Sequence, residues 1–494
     1  MSRKMPIFYS ALLLTGVNLL LRFVATSFQV YISGTIGAEG IGLLQLVMSV
    51  GALAMTAGMA GVRTATMYLT AEELGHGRTD KVTWVLSGCF LYSILCSGGI
   101  SLCLYSLAPF LANNWIGNPA TADAIRLYAC FLPVNCLCGV MTGYFMAANR
   151  IGTLSAVEVA DQIVYMVTTM IFLVQWAGNE PVRACQSMII GSGVSCCVTL
   201  AMLVSLRLME KPSTGSRIPV GSRLLNIAVP LGLADDLKIG INTTENLMVP
   251  KRLARYPKAD NPLAAFGAVC GMVFPVLMFP AAILYSLAEL LIPELARCAA
   301  AGSTRRIHYL VRRSLRFAAV YGCLFCGLEF IFAKDLCIQL YSNTDAGNYL
   351  KLYAILIPML YCDTITDAMT KGLGQQKACV RYNILTSTLD VVFLFVLLPR
   401  YGMMGYFVSF FITHLLNFIL SLRRLCIISG IRIRVLAVLL LIAGTGGAVA
   451  ISSCAPSMWC RGIVFPVALG CIFFLLGIVG SEDLQWLRGL IKKR

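Results

Sequence analysis

The sequence predicts an all-α, polytopic membrane protein of about fourteen spanning helices, on three observations. Hydrophobic residues make up 58% of the 494 residues and charged ones only 13%, with a mean hydropathy of +0.80, more apolar side chain than one soluble core of this length can enclose. The apolar runs exceed about twenty residues, the length a helix needs to cross a hydrocarbon core of ~30 Å. They also lack the alternating segments of about ten residues that mark a transmembrane β-barrel.

The chain opens on MSRKM before a long apolar stretch without a small-residue cleavage site, so this stretch is expected to stay as an anchor. Cutting at polar and turn-rich breaks gives spans at 6–33, 43–69, 84–111, 124–148, 154–177, 184–206, 224–249, 264–292, 315–332, 352–370, 379–398, 403–422, 435–453 and 462–479. With the N-terminus inside, 26 of the 39 basic residues fall in the termini and the even-numbered connections, which sets both termini in the cytoplasm. Lys251, Arg252, Arg255 and Lys258 break the pattern, lying in the outer connection after the seventh span. The segment 211–221, KPSTGSRIPVG, reads as a linker. It suggests an N-terminal lobe at 1–206, a cytoplasmic linker at 207–222, a C-terminal lobe at 223–425 and a terminal pair of spans with a tail at 426–494. Six, six and two spans suit a transporter built from repeats.

The first span carries Arg22 near mid-depth. An isolated arginine there costs at least ~2.5–3.5 kcal/mol on insertion scales, so it should face protein or water rather than lipid. At 3.6 residues per turn, Asn18, Arg22, Gln29 and Ser33 share one narrow stripe, a first hint of a polar cavity. The second span repeats the pattern with Gln45, Ser49, Thr56 and Arg63, where Arg63 either lines the same cavity or snorkels to the inner interface. In the seventh span, Asp235, Lys238, Asn242 and Glu245 lie within one sector, with Asp236 beside them. Asp235 and Lys238 are within pairing reach, so this group is either an ion pair joining helices or a cavity lining.

The eighth span contains Pro275, Pro280 and Pro293, which remove backbone hydrogen bonds and supply bending points. Glu289 and Glu294 flank its inner end and belong either to an inner gate or only to the interface. Asp363, Asp367 and Asp390, in the tenth and eleventh spans, either pair with neighbouring helices or couple to an ion. His414 is a candidate proton-linked group, with His76 and His308 too far off in sequence to join it. The basic, amphipathic run 305–316, RRIHYLVRRSLR, reads as a face that meets anionic head groups. Nearly all of the twenty cysteines sit inside apolar runs and read as small hydrophobes, and Cys323 and Cys326 have no second pair at zinc spacing. The sequence has no G-x-S-x-G, H-E-x-x-H or Walker A motif, so neither an enzyme nor an ATP-driven pump is expected. No cofactor or nucleic-acid partner is expected either.

SGTIGAEGIGLLQL after Arg22, MVFPVLMFPAAILYSLAELLIPEL, LYSNTDAGNYLKLYAILIPMLY, TKGLGQQK and LPRYGMMGY occur in an order that resembles the stage V sporulation protein B group of polysaccharide and lipid-linked oligosaccharide flippases. That group stands with the lipid II flippases and the multidrug and toxin extruders in one superfamily. The resemblance implies two six-helix lobes around a central cavity, alternating access, and a location in the bacterial cytoplasmic membrane. It also implies an undecaprenyl-pyrophosphate-linked saccharide as substrate. Arg22 matches the arginine of the group's first helix; where related sequences carry a second one seven positions later, this chain has Gln29.

The expected function is therefore a flippase for a lipid-linked cell-wall or spore-cortex precursor. Arg22, Arg63 and Lys238 would hold its anionic head group, while Asp235, Asp236 and Glu245 balance charge or couple to H+ or Na+, with Gln29 and Asn242 completing the lining. The alternatives are an ion-coupled exporter of cationic drugs, with the acids as binding groups, and a non-transporting scaffold that joins envelope-synthesis proteins.

Overall fold

The computed structural model describes residues 7–76, 78–178, 180–210, 220–431 and 435–478. Most of the expected linker, both chain ends and the Asn18 side chain lie outside the described residues. The helices in chain order are α1 (Ile7–Met59), α2 (Val62–Gly75), α3 (Val82–Phe110), α4 (Ala122–Ala147), α5 (Ile151–Phe172), α6 (Pro181–Met209), α7 (Gly221–Leu253), α8 (Pro262–Gly267), α9 (Phe274–Met278), α10 (Ala282–Ala300), α11 (Thr304–Tyr341), α12 (Thr344–Ala354), α13 (Ile357–Gly372), α14 (Gln376–Tyr401), α15 (Met403–Ser429), α16 (Val435–Ser453) and α17 (Met458–Leu475). No strand occurs among the described residues.

Among the described residues ten helices are long and apolar enough to cross a membrane, and two bent pairs add two more. One of the ten runs through Gly37, whose φ of 77° and ψ of 174° leave helical geometry and divide α1 into two arms. The 33-residue α7 also has the length to span, but carries Asp235, Asp236, Lys238 and Glu245 in its middle. Counting both arms of α1 and including α7 is consistent with fourteen spans.

The bent pairs have identifiable causes. Pro280 lies in the gap between α9 and α10, where the chain turns by 64°, and Pro358 opens α13, which meets α12 at 59°. Irregular backbone at membrane depth must find its hydrogen bonds inside the protein. Three tyrosines supply them: Tyr341 donates to Met272 O at 3.2 Å, Tyr361 to Leu277 O at 3.0 Å and Tyr321 to Pro280 O at 2.8 Å. The tenth span accordingly begins earlier than its hydropathy suggests, because the polar start of α12 at Thr344 belongs to the bent pair.

The chain divides into two compact units, Met1–Gly271 with Val391–Met403, and Met272–Asp390 with Met404–Arg494. In the first, Val62, Leu69, Val85, Leu86, Val140, Phe145, Leu203 and Leu224 form one core. Helix α7 runs antiparallel to the second arm of α1 and α2: Gly232 approaches Ala60, and Thr243 donates to Ser49 O at 3.1 Å. Gly61, at φ 72°, has room for no side chain, since a Cβ there would collide with Ala228 O. Such small-residue crossings let helices pack by close backbone contact where lipid removes the hydrophobic drive between them.

The connections of this unit sort into two ends. At one end Asn261 Nδ2 donates to Glu39 Oε2 at 3.0 Å, Lys251 Nζ donates to Asn114 O, and Ile36 packs by Ala177 and Ala184. At the other, Arg223 pairs with Glu72 at 2.7 Å and Glu73 at 3.2 Å, while Arg150 and Arg207 pair with Glu210 at 2.5 and 2.9 Å. The two carboxylates hold the Arg223 guanidinium above its ordinary pKa, Glu73 first. This is the alternation that successive crossings demand. It also accounts for part of the basic segment that broke the charge rule, since Lys251 is bonded and the Arg252 guanidinium lies 3.2 Å from the centre of the Phe395 ring.

In the second unit α16 and α17 pack on α11 through Cys323, Ala448, Phe465, Leu469 and Phe473. Outside both cores, large apolar side chains stay uncovered, among them Leu95, Leu102, Ile163 and Val174. Helices this apolar on their outer faces require lipid as solvent.

Candidate functional site

The first polar stripe passes from exposed to buried as it descends α1. Arg22 is exposed, Gln29 is half-buried, and Ser33 is fully buried, donating to Gly271 O at 3.1 Å. The second stripe does not survive as one face. Gln45, Ser49 and Thr56 lie on α1, but Ala60 and Gly61 both adopt positive φ, and the five whole turns that should align Arg63 with Gln45 are interrupted. Arg63 therefore belongs to α2. It is exposed, its Nη2 donates to Met146 Sδ at 3.8 Å, and its charge reaches Glu158 on α5. The break frees the Ala60 carbonyl, which accepts from Tyr92 OH at 3.2 Å; Tyr92 is in turn within electrostatic reach of Asp236.

On α7 the face toward α1 is small and neutral. Ser49 Oγ accepts from Asn246 Nδ2 at 2.9 Å and Thr243 bonds the Ser49 carbonyl. The charged residues fall elsewhere: Asp235, Lys238 and Asn242 are exposed, and Asp236 and Glu245 are half-buried. Asp235 and Lys238, the expected i,i+3 pair, are not joined by an ion pair among the described residues. One oxygen of Asp236, Oδ1, is buried without a hydrogen-bond partner. The unit thus brings Arg63, Glu158 and Tyr92 with Asp236 to the neighbourhood of the α1–α2 break, and leaves Asp235, Lys238 and Asn242 on an uncovered face of α7.

A cavity of about 90 Å³ in the same unit is lined by Met48, Tyr128, Phe131, Asn135, Tyr165 and Ser192. Pockets for drug-sized ligands run to about 300–1,000 Å³, so this space holds a few waters and not a saccharide head group. None of the sequence-predicted residues lines it.

In the second unit Asp363 and Asp390 turn inward. Asp390 is 3% exposed and accepts hydrogen bonds from Ser409 Oγ and Thr413 Oγ1 on α15, the second at 3.2 Å. One turn on, His414 stacks on Phe410 with ring centres 3.8 Å apart. Asp363 accepts from Asn417 Nδ2 at 3.3 Å, and Asp367 pairs with Lys371 at 2.5 Å. Glu289 is exposed, while Glu294 pairs with Arg306 at 2.6 Å and Arg297 at 3.3 Å. Asp363 and Asp390 thus each have a hydrogen-bond partner on the neighbouring α15, whereas Asp367 pairs within its own helix.

Sequence reasoning passed over Glu158 and Asp161, which sit on α5 with Asp161 accepting from Thr199 at 2.8 Å, and Glu329 on α11. Each lies near the end of an apolar run, where an acid looks like a boundary. The available signal was that each run continues beyond the acid.

Residues 252–396 match the MatE family. Over 420 residues the chain is 22% identical to stage V sporulation protein B of Bacillus subtilis (strain 168), covering 81% of this chain and 80% of that protein. Its fold matches that of the lipid II flippase MurJ in an inward closed conformation, with a TM-score of 0.72 at 9% identity over 93% of this chain and 98% of the other. An inward-facing multidrug resistance MATE family transporter of the MOP superfamily gives 0.67 at 12% identity, over 85% of this chain and 100% of its own.

Proposed function

We propose that this chain, a homologue of stage V sporulation protein B with the MurJ and MATE transporter fold, is a flippase. It moves a lipid-linked oligosaccharide or peptidoglycan precursor across the bacterial cytoplasmic membrane during cell-wall or spore-cortex synthesis. The observation that carries the reading is the extent of likeness. The MurJ fold accounts for 93% of the chain and the MATE transporter for 85%, a difference close to the combined length of α16 and α17.

The chemistry supports an anionic head group. Arg22, Arg63 and Lys238 are exposed on helices of one unit, and guanidinium forks match pyrophosphate oxygens in pairs. Asp235, Asp236 and Glu245 balance that charge, and Gln29 and Asn242 add neutral donors. The lobes at 1–206 and 223–425 alternate in access while the lipid tail stays in the bilayer, and both termini lie in the cytoplasm. Envelope-synthesis proteins that make or consume the precursor are the natural partners.

Flux of a labelled lipid-linked precursor in proteoliposomes tests this. Arg22→Ala is expected to abolish flux at normal membrane abundance and Arg22→Lys to restore part of it; unchanged flux in both sinks the reading. A second reading, export of organic cations, is favoured by the exposed Asp235 and by the MATE fold. Drug resistance that tracks Asp235→Asn, with precursor flux intact, would establish it.

A further inference from the structure

Glu329 is the most enclosed acid without a partner among the described residues. Its side chain lies in α11 at 6% exposure, and both carboxylate oxygens are buried with no hydrogen-bond partner. Around it, from α11 itself, come the thiols of Cys326 and Cys337. From α13 comes Tyr361, whose hydroxyl is committed to Leu277 O at 3.0 Å, with Tyr285 of α10 and Tyr321 of α11 behind it. Of the cations, Lys351 on α12 lies 4.7 Å from the centre of the Phe330 ring, and neither it nor Lys334 of α11 makes an ion pair with Glu329 among the described residues. Over the adjoining face of α11, α17 presents Phe465 against Gly327.

We propose that Glu329 is a proton-binding site of the second unit, loaded from bulk water as the transport cycle opens α11 and emptied later in the same cycle. A bare carboxylate in such a place is costly: removing a charge from water without a partner forfeits several kcal/mol. Of the ligands that could offset that cost, a hard cation needs about six oxygen donors, and this surround is thiols, aromatic rings and phenols, of which Tyr361 and Tyr321 are already committed to backbone carbonyls. The proton needs only the carboxylate itself. Loading converts the carboxylate and one proton from water into the neutral acid, and unloading returns the proton, so no other reactant is involved. Asp390 differs on this point, because Ser409 and Thr413 already donate to it.

The coupling half of this proposal rests on the transporter reading, but the proton site itself does not, and the test separates them. Infrared difference spectra of the purified full chain in lipid, taken while pH is stepped, should show a carboxylic-acid C=O band that disappears in Glu329→Gln. Gln keeps the size and removes the titration. Equal helical content and a monodisperse elution profile certify folding, and N,N′-dicyclohexylcarbodiimide, which adds to protonated carboxyls in apolar sites, should label Glu329 in the wild type. Absence of both the band and the adduct overturns the proposal. In proteoliposomes, an inwardly directed pH gradient should accelerate precursor flux in the wild type, and this acceleration should be lost in Glu329→Gln. A band with gradient-driven flux equal in both forms overturns the coupling role, leaving a static buried acid. A band with no flux of any lipid-linked precursor supports the proton site and removes the flippase reading instead.

Discussion

The two units place their polar residues in opposite ways. In the first, α7 lies against α1 and α2 through Gly232, Gly61 and neutral hydrogen bonds at Ser49, while Asp235, Lys238 and Arg63 stay on uncovered faces. In the second, Asp363 of α13 and Asp390 of α14 are met on α15 by Asn417 and by Ser409 and Thr413. At the α1–α7 contact close backbone approach carries the packing, and at the α14–α15 contact side-chain hydrogen bonds to a buried acid do. Under the proposed flippase reading, the uncovered charges of the first unit are the ones placed to meet a head group, and substitutions in each unit test that contrast.

The largest expected effect comes from breaking the backbone crossing. Gly61→Val places a branched side chain at φ 72°, against Ala228 O. Strain at such a position and overpacking each cost about 1–3 kcal/mol, and they add here because the contact is backbone and cannot rotate away. Thermal unfolding in detergent should show the transition lowered or lost, and a wild-type transition would mean that α7 does not cross so closely.

Next comes Asp390→Leu. It strips the acceptor from two buried hydroxyls, and leaving buried donors unsatisfied costs about 1–3 kcal/mol. Both hydroxyls can still bond carbonyls of their own helix, as Thr413 does with Ser409 O at 2.9 Å, so the lower half of that range is expected. If instead Asp390→Leu kept full stability and lost flux, the acid would belong to the transport machinery and the contrast between the units would fall.

How much of this was legible beforehand follows the same division. The spans were readable because a helix in lipid must be apolar for its full length, and the bent segment at Pro280 was readable because proline has no N–H to give. The fate of Arg63 was not. Its alignment with Gln45 assumed a continuous helix, and the positive φ at Ala60 and Gly61 that ends it reflects the approach of Ala228 and Gly232, more than 160 residues away. Local spacing cannot report a contact that distant. Asp390 was seen as buried from its position, but Ser409 and Thr413, which define its environment, sit on another helix whose register the sequence leaves open.

A smaller effect is expected at the end of the first unit where ion pairs join α2 to α7. Arg223→Ala removes the partner of Glu72 and the closer partner of the buried Glu73, which keeps Arg78 at 4.0 Å, with side-chain exposures of 37% for Arg223 and 3% for Glu73. Because the guanidinium is more than a third exposed, solvent screening discounts the loss to about 1 kcal/mol. Raising salt should narrow the gap between variant and wild type, since the exposed part of the pair is screened within a Debye length of about 10 Å at 0.1 M. A gap insensitive to salt would point to lost packing of the arginine stem.

The smallest stability effect should accompany a large functional one. Asp235→Asn and Lys238→Gln alter exposed residues that hold no ion pair with each other among the described residues, so each should stay within about 0.5 kcal/mol of wild type in unfolding experiments. Under the flippase reading, Lys238→Gln weakens the hold on an anionic head group and lowers precursor flux, while Asp235→Asn removes a repelling charge and leaves flux equal or higher. The two substitutions change net charge in opposite directions by one unit each, so a flux that follows charge in this order ties the uncovered face of α7 to an anion. The reverse order, with Asp235→Asn the more damaging, assigns that face to a cation and moves the chain toward the drug-exporter reading. Equal and unimpaired flux in both removes α7 from substrate recognition and leaves Arg22 and Arg63 as the cationic groups of the unit.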